Sequence, residues 1–390
     1  MSGISVNVNE LTFEVTKKVR IYLRKLVKIG GSDLHIKAQS PTRGRVNGEI
    51  VIIDKNPMTK PDALMLGKEM LRGRFVELVE NKEVDLTYRL DDNYFFRVNM
   101  FFQKDGLSAV FRVIATEIKT IDELGLPDSL KKISEIQRGL VLVTGMTGSG
   151  KSTTMSAIIN EINQTQRKHI LTIEDPIEFI HKDKLSMVNQ RSVGEDTKSF
   201  ADALRAALRE DPDVILVGEI RDTQTAEIAL HAAETGHLVI STMHTQDASG
   251  TISRAIGMFS HDEQERIRYA LSSVLRSIIS QRLVKTKTGK RIAAVEIFVN
   301  TSRISELIKN NRDDEIKQAM EDGKNVYGTQ TFDMSLFELF KQNIITQEEA
   351  LLNSTTKEDL RLKIKNFLNK QISSNMNENE LGKDILKLKS

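Results

Sequence analysis

The segment over residues 145–152 limits the possible folds more than any other part of this sequence. It reads GMTGSGKS, a full match to the pattern G-x-x-x-x-G-K-[S/T]. An apolar run precedes it at 140–143, and a helical pattern follows at 152–163. A glycine-rich turn between a strand and a helix can point successive backbone N–H groups at phosphate oxygens. The sequence therefore predicts a nucleotide site, and the flanking strand and helix disfavour the alternative of a chance glycine-rich turn.

Lys151 and Ser152 are predicted to have different roles at this site. The lysine would place a positive charge on the β- and γ-phosphates, and the serine hydroxyl would ligate Mg²⁺. The predicted cofactors are therefore ATP and Mg²⁺. The full set of predicted nucleotide-binding residues is Gly145, Met146, Thr147, Gly148, Ser149, Gly150, Lys151, Ser152 and Thr153.

The rest of the sequence divides into two domains with different patterns. After residue 139, short apolar runs at 140–143, 170–173, 214–217 and 238–241 alternate with helical patterns, which is typical of a parallel sheet covered on both faces. Before it, helical patterns and a three-strand meander that ends at Ile114 predict a small α+β domain with an antiparallel sheet. We expect this domain at 1–115, a linker at 116–138, the larger domain with a helical C-terminal part at 139–370, and a disordered tail at 371–390.

Composition excludes several classes of site. The chain of 390 residues contains no cysteine, which rules out disulfides, iron–sulfur clusters and cysteine-ligated zinc. Its 56 basic and 54 acidic residues leave a net charge of +2, so there is no general reason to bind nucleic acid. No secretory signal is visible, and no apolar run reaches the ~20 residues of a membrane span. We expect a soluble, cytoplasmic protein without direct membrane insertion.

Acidic residues follow two of the predicted strands. Glu219 ends an apolar strand, where a P-loop enzyme holds Mg²⁺ or its waters, although a solvated turn is the alternative. Glu174, Asp175 and Glu178 follow another strand, so we expect three carboxylates at the sheet edge that carries the glycine-rich loop. One of them could orient the water that attacks ATP, and the pattern does not choose among the three.

Two histidines and two arginines complete the candidate residues. His237 and His244 flank the strand at 238–241, where they could sense a γ-phosphate or equally cap neighbouring elements. Arg97 and Arg112 lie in the N-terminal meander. Either could act as an arginine finger, but on the residues alone an ordinary solvated face is the more common outcome.

These elements, in this order, resemble the secretion-type ATPases that drive type IV pili and type II secretion. The resemblance runs from the SDLH segment at 32–35 to about Lys365. It implies an α/β fold with a RecA-like P-loop ATPase core and a smaller N-terminal PAS-like α+β domain. In that family the stretch over 174–178 is the Asp box, the strand before Glu219 is Walker B, and the stretch over 237–244 is the His box.

The same resemblance implies roles for individual residues. By alignment to the family motif T-I-E-D-P-[IV]-E, Glu178 would activate water, and Glu219 would support Mg²⁺ and the γ-phosphate. Arg97 and Arg112 lie in segments similar to those that carry the family's arginines, which reach nucleotide on the catalytic domain.

Within the family, the chain is most similar to the retraction branch of PilT and PilU. It has about 115 residues before the linker and no cysteine, unlike assembly and secretion motors with an extra domain and a tetracysteine zinc module. Segments at 301–308, 330–333, 345–350 and 359–362 resemble PilU, and the AIRNLIRE motif typical of PilT is not found at 302–309. The resemblance implies a homo-hexameric ATPase that retracts type IV pili, alone or alongside a PilT-type motor. It would act on a platform protein at the pilus base, peripheral to the inner membrane.

Three other functions fit parts of the sequence. A pilus-assembly or secretion ATPase is disfavoured by the length and by the lack of cysteine. A nucleic-acid translocase would share the core, but five tyrosines and no tryptophan give little sign of a stacking groove. An accessory scaffold that binds ATP without hydrolysis is disfavoured by the presence of Glu178 and Glu219.

Overall fold

The computed structural model describes residues 11–370, which form two compact units. The first unit contains the chain up to Ile118 together with Ile173–Lys182 and Gln190–Ala203. The second contains Lys119–Thr172, Asp183–Asn189 and the chain from Leu204 onwards. The predicted domains are continuous stretches, whereas these units are not.

Hydrogen bonds explain why the later segments group with the N-terminal residues. The amide of Ile180 donates to the carbonyl oxygen of Ala115 at 3.3 Å. The ammonium group of Lys182 donates to Oδ1 of Asn93 at 2.9 Å. Such contacts lie outside any local sequence pattern, so the sequence could not reveal them.

The first unit is built on an antiparallel six-stranded sheet, as the sequence predicted. The elements of this unit are α1 (Glu14–Lys28), β1 (Gly31–Lys37), β2 (Pro41–Val46), β3 (Glu49–Pro57), α2 (Lys60–Leu71), α3 (Phe75–Asn81), β4 (Glu83–Arg89), β5 (Phe95–Gln103) and β6 (Gly106–Ile114). The strands occur in the order β3-β2-β1-β6-β5-β4. Helices α1 and α2 contact the sheet at β1 and β6, and alternate residues of β5, such as Phe96 and Val98, lie in the core beneath them.

The remaining elements include a seven-stranded sheet. These elements are α4 (Ser129–Ser134), β7 (Gly139–Thr144), α5 (Lys151–Thr165), β8 (His169–Glu174), β9 (Met187–Ser192), α6 (Phe200–Ala207), β10 (Val214–Val217), α7 (Thr223–Glu234), β11 (Leu238–Met243), α8 (Ala248–Gly257), α9 (Gln264–Val274), β12 (Leu275–Lys285), β13 (Arg291–Val299), α10 (Ser302–Lys309), α11 (Ile316–Tyr327), α12 (Phe332–Lys341) and α13 (Gln347–Asn353). The strands of the sheet occur in the order β13-β12-β7-β11-β10-β8-β9. Strands β12, β7, β11 and β10 pair in parallel, and β13 pairs antiparallel with β12. This arrangement confirms the predicted α/β class.

A last helix covers 357–370. Among the helices of residues 11–370, none has the length and apolar character that crossing a membrane requires. The predicted disordered tail at 371–390 lies outside the described residues.

The hairpin of β12 and β13 was not predicted. The helix α9 passes into β12 at Leu275 without an intervening glycine or proline, so the local pattern contains no boundary signal. The interior position of β12, between β7 and β13, is a tertiary property that local periodicity does not report.

One carboxylate, Glu296, is buried in this hairpin. It lies on β13 opposite Ser280 of β12, and its side chain accepts a hydrogen bond at 2.8 Å from the amide of Ala248, where α8 begins. Burial raises the pKa of Glu296 to about 7, and the charge of Asp247 acts in the same direction. The hydrogen bond from Ala248 and the charge of Arg282 only partly oppose this increase in pKa.

The raised pKa predicts how stability depends on pH. Between an unfolded pKa of 4.5 and a folded pKa of about 7, the folded chain keeps a proton that the unfolded chain has lost. This contribution to the free energy of unfolding is therefore fully present below 4.5 and is lost as the pH rises to about 7. Glu296→Gln cannot titrate, so its stability relative to the wild type should rise by up to about 3 kcal/mol over this range. Urea unfolding at several pH values measures the difference.

A substitution at an exposed glutamate provides the control. Glu306 has a side chain that is 63% exposed, and Glu306→Gln should change the free energy of unfolding only slightly. A constant difference between Glu296→Gln and the wild type from pH 4.5 to 8 would contradict the buried, titrating carboxylate.

Candidate active site

The predicted phosphate loop lies between a fully buried strand and a helix. All six residues of β7 are buried, and α5 begins at Lys151. Between them, Gly145, Gly148 and Gly150 have φ angles of 136°, 78° and 92°, a region that side chains with a Cβ rarely adopt. At Gly145 a Cβ would also lie 2.5 Å from the carbonyl oxygen of Gln281. The loop can therefore curl only because these positions are glycine.

Lys151 supplies a positive charge at this loop. Only 9% of the residue is exposed, and its Nζ donates to the carbonyl oxygens of Gly145 at 2.8 Å and Met146 at 3.3 Å. Within residues 11–370, the buried hydroxyl of Ser149 has no hydrogen-bond partner. A cation, an unsatisfied hydroxyl and the first amides of α5 together fit a chain of phosphate groups.

A cavity of about 400 Å³ opens beside the loop, which is within the range of small-molecule sites. Arg282 in its wall is held in place, because its guanidinium carbon lies 3.9 Å from the ring centroid of Phe332 and its Nη1 donates to the carbonyl oxygen of Asn353 at 2.6 Å. The cavity is lined by residues 145–149 and by Gln246, Gln281, Arg282, Leu283, Arg291 and Asn353.

Glu219 and His244 are brought together by parallel strand pairing. In the order β7-β11-β10, the loop, His244 and Glu219 all follow the carboxyl ends of neighbouring strands. Oε1 of Glu219 lies 3.2 Å from Nε2 of His244, and Oε2 accepts a hydrogen bond from Nε of Arg221 at 2.7 Å. Oxygen atoms are the ligands that Mg²⁺ prefers, so the carboxylate of Glu219 and the hydroxyl of Ser152 are of the right chemical type for the ion that accompanies a nucleotide.

His237 lies at the opposite end of the same strand. It precedes β11, and the seven residue steps from His237 to His244 at ~3.3 Å each separate the two histidines by about 23 Å. Its Nδ1 is 3.0 Å from the carbonyl oxygen of Ala232, near the end of α7. Of the two alternatives that the sequence left open, the structure favours helix capping for His237.

The three carboxylates of the predicted Asp box belong to the first unit and differ in their contacts. Glu174 accepts hydrogen bonds from Nε2 of Gln190 at 3.1 Å and from the amide of Glu178 at 3.4 Å. Asp175 and Glu178 have exposed side chains. Glu174 therefore holds the loop together, and the other two carboxylates are accessible for chemistry.

Arg97 and Arg112 lie directly opposite each other on β5 and β6. Because their positions alternate with core residues such as Phe96 and Phe111, both side chains project from the face of the sheet that is directed away from the core. Nε of Arg112 donates to Oδ1 of Asp33 at 2.8 Å. Burial of Asp33 opposes ionisation, but the hydrogen bonds from Ser32 and Arg112 hold its pKa below the usual value.

The sequence missed the residues that line the cavity outside the loop. Gln246, Arg282, Arg291 and Asn353 come from parts of the chain about 100 to 200 residues beyond the loop. No short motif connects them. The pairing of β12 with β7 and β13 brings Arg282 and Arg291 to this wall, and tertiary packing brings Gln246 and Asn353 to it.

The close approach at Gly145 predicts a strong effect of adding one methyl group. Gly145→Ala should weaken ATP binding and lower the free energy of unfolding by about 2–4 kcal/mol, because it combines a positive φ with a clash against backbone. Gly148→Ala is the matched control, since its φ is also positive but no atom lies within 4 Å of the methyl group that alanine would add. Urea unfolding and binding of a fluorescent ATP analogue measure both. Equal losses of stability in the two variants would contradict the close approach.

Comparison with known proteins places this geometry in a family. The family model for type II/IV secretion system proteins matches residues 14–381. The chain is 44% identical over 324 residues to the type IV pilus retraction ATPase PilT of Pseudomonas aeruginosa, covering 83% of this chain and 94% of that protein. It is 40% identical over 348 residues to the type IV pilus ATPase PilU of the same organism, covering 88% and 90%.

A solved structure agrees with these sequence matches. The crystal structure of the pilus retraction motor PilT with bound ADP has a TM-score of 0.80 and 42% sequence identity, covering 88% of this chain and 98% of that one. The predicted resemblance to the PilT and PilU group is thus confirmed, and the nearer resemblance to PilU stays a prediction. The chain belongs to the type II/IV secretion system family and is a nucleotide-binding, secretion-type ATPase.

Proposed function

We propose that this chain is a hexameric motor that hydrolyses ATP to drive the retraction of type IV pili. The observation that carries the proposal is the grouping of the Lys151 loop with the Glu219–His244 pair at the carboxyl ends of neighbouring parallel strands. The relatives named as pilus retraction proteins, which match most of the chain, support type IV pili as the structures on which the motor acts.

Each residue has a defined part in the proposed reaction. Water attacks the γ-phosphorus, its proton passes to the carboxylate of Glu178, and ADP and phosphate leave. Lys151 neutralises charge on the β- and γ-phosphates. Mg²⁺, when bound with ATP, would be held by Ser152 and Glu219 and would neutralise further phosphate charge. His244, through its contact with Glu219, is suited to respond to the presence of the γ-phosphate.

Arg97 and Arg112 are proposed to act on a nucleotide bound to the catalytic domain of a neighbouring subunit. Two guanidinium groups in one cross-strand pair concentrate positive charge on an exposed face. Such charge stabilises the transition state of phosphoryl transfer. A ring of subunits is the natural arrangement for residues that act in this way.

We further propose a PilU-like role beside a PilT-type motor, with an inner-membrane platform protein as the partner and no nucleic acid. The motor would act at the cytoplasmic side of the inner membrane, at the pilus base. The similar identities to a PilT and a PilU support membership of this group without choosing between the two roles.

Substitutions at Lys151 and Glu178 should separate nucleotide binding from hydrolysis. Lys151→Ala should weaken ATP binding and reduce turnover by about 100-fold or more. Glu178→Gln should keep binding and lose turnover to a similar extent, because the amide cannot accept the proton. Steady-state phosphate release, with mass determined by light scattering, measures turnover of the assembled ring.

Two control variants make this test specific. Lys309→Ala removes a lysine paired with Glu306 on α10 and should keep full activity. Asp175→Asn changes the other exposed carboxylate of the Asp box, so a loss with this variant but not with Glu178→Gln would assign the base to Asp175. Wild-type chain that binds ATP and hydrolyses none would favour the accessory scaffold.

Mixing two inactive variants tests whether Arg112 acts between subunits. Arg112→Ala keeps its own Lys151, and Lys151→Ala keeps its own arginine, so an assembled mixture would contain complete sites at some interfaces. An equal mixture should recover about one tenth or more of wild-type turnover, whereas each variant alone has little. The exposed Arg89 supplies the control variant Arg89→Ala, which should stay active by itself. A mixture no more active than its components would contradict action in trans.

A further inference from the structure

The loop between β11 and α8 is held at three points, and two of them lie outside the proposed reacting groups. His244 contacts Glu219 at 3.2 Å, and the hydroxyl groups of Thr245 and Thr251 are 2.6 Å apart. The third point is the amide of Ala248, which donates to Oε1 of Glu296 at 2.8 Å. Gln246, which lies between these points, lines the cavity beside the phosphate loop. The loop over 244–248 thus carries Gln246, which lines the cavity, and His244, which contacts Glu219.

Glu296 is unusual among glutamates because it is buried, with only 7% of the residue exposed. An ionisable group at such a position carries a desolvation cost that an apolar side chain would avoid. Four residues supply the groups around it, which are Arg282 of β12, Phe332 at the start of α12, and Asp247 and Ala248 at the start of α8. Its carboxylate therefore joins the loop over 244–248 to the strand that carries Arg282 in the cavity wall.

We propose that Glu296 is a positioning residue for ATP turnover, which fixes the loop over 244–248 by accepting the hydrogen bond of Ala248. The proposal rests on the proposed nucleotide site. Glu296 would contact neither the phosphate groups nor the attacking water. It acts through the loop, by keeping His244 against Glu219 and Gln246 at the cavity.

The position of the loop predicts which kinetic constant changes. Lys151 and the glycines hold the phosphates of the ground state, and none of them depends on Glu296. His244 and Glu219 are proposed to act where the γ-phosphate is cleaved. Loss of the acceptor leaves the amide of Ala248 buried and unpaired, so the loop must move to satisfy it. The effect should therefore appear mainly in kcat and much less in KM.

Three variants test this arrangement in the full chain. Glu296→Ala removes the acceptor and should lower kcat for ATP by about tenfold or more, with KM changed by less than about threefold. Glu296→Gln keeps an acceptor oxygen and should restore kcat to within about threefold of the wild type. The control is Ser335→Ala, which removes the 3.1 Å hydrogen bond from the amide of the adjacent Val295 to α12 and leaves the loop untouched.

Each outcome decides the proposal. A kcat of Glu296→Ala within twofold of the wild type would overturn it, and so would equal losses in Glu296→Ala and Ser335→Ala, which would indicate general destabilisation. Failure of Glu296→Gln to restore kcat would reject the acceptor role. If Glu296→Ala does not fold, hydrogen exchange of the wild type decides, because rapid exchange of the Ala248 amide would overturn the proposal. Wild-type chain without turnover would instead contradict the proposed function, so the two failures are distinguishable.

Discussion

The parallel pairing of β7, β11 and β10 is the constraint on which the rest of the ATPase site depends. Parallel strands end at a common edge, so three loops that are distant in sequence meet there without any local signal. One loop carries Lys151, the next His244 and the third Glu219. All residues of these three strands are buried, which makes a shift in their register costly. The rigidity of the sheet therefore fixes the spacing of the reactive groups.

A second strand pair completes the site from the other side of β7. Strand β12 pairs in parallel with β7 and places the carbonyl oxygen of Gln281 against Gly145. The same strand carries Arg282 into the cavity wall, and its partner β13 carries Glu296 to the start of α8. The β12–β13 hairpin therefore does not only complete the sheet. It also contacts both the phosphate loop and the loop that carries His244.

The sequence predicted those parts of the site that depend on local geometry. The strand, the glycine-rich turn and the helix around Lys151 were predicted, because these parts are contiguous in the sequence. The roles of His237 and Glu174 could not be settled, since they depend on which strand end and which neighbour each side chain meets. Residues such as Arg282 and Glu296 gave no signal at all, because a charged residue in a strand of mixed polarity looks like a solvated one. Their importance follows from burial and pairing, which are tertiary properties.

The placement of Arg97 opposite Arg112 indicates that these residues do not serve the stability of the fold alone. Like charges directly opposite each other in an antiparallel pair destabilise a sheet. Asp33 relieves this repulsion by pairing with Arg112 at 2.8 Å, whereas the nearest carboxylate oxygen to Nε of Arg97, on Asp85, is 3.9 Å away. Asp33 is itself nearly buried, so its pairing with Arg112 carries a desolvation cost. An anion with several negative charges would relieve the remaining repulsion between both arginines, and a nucleotide polyphosphate is such an anion.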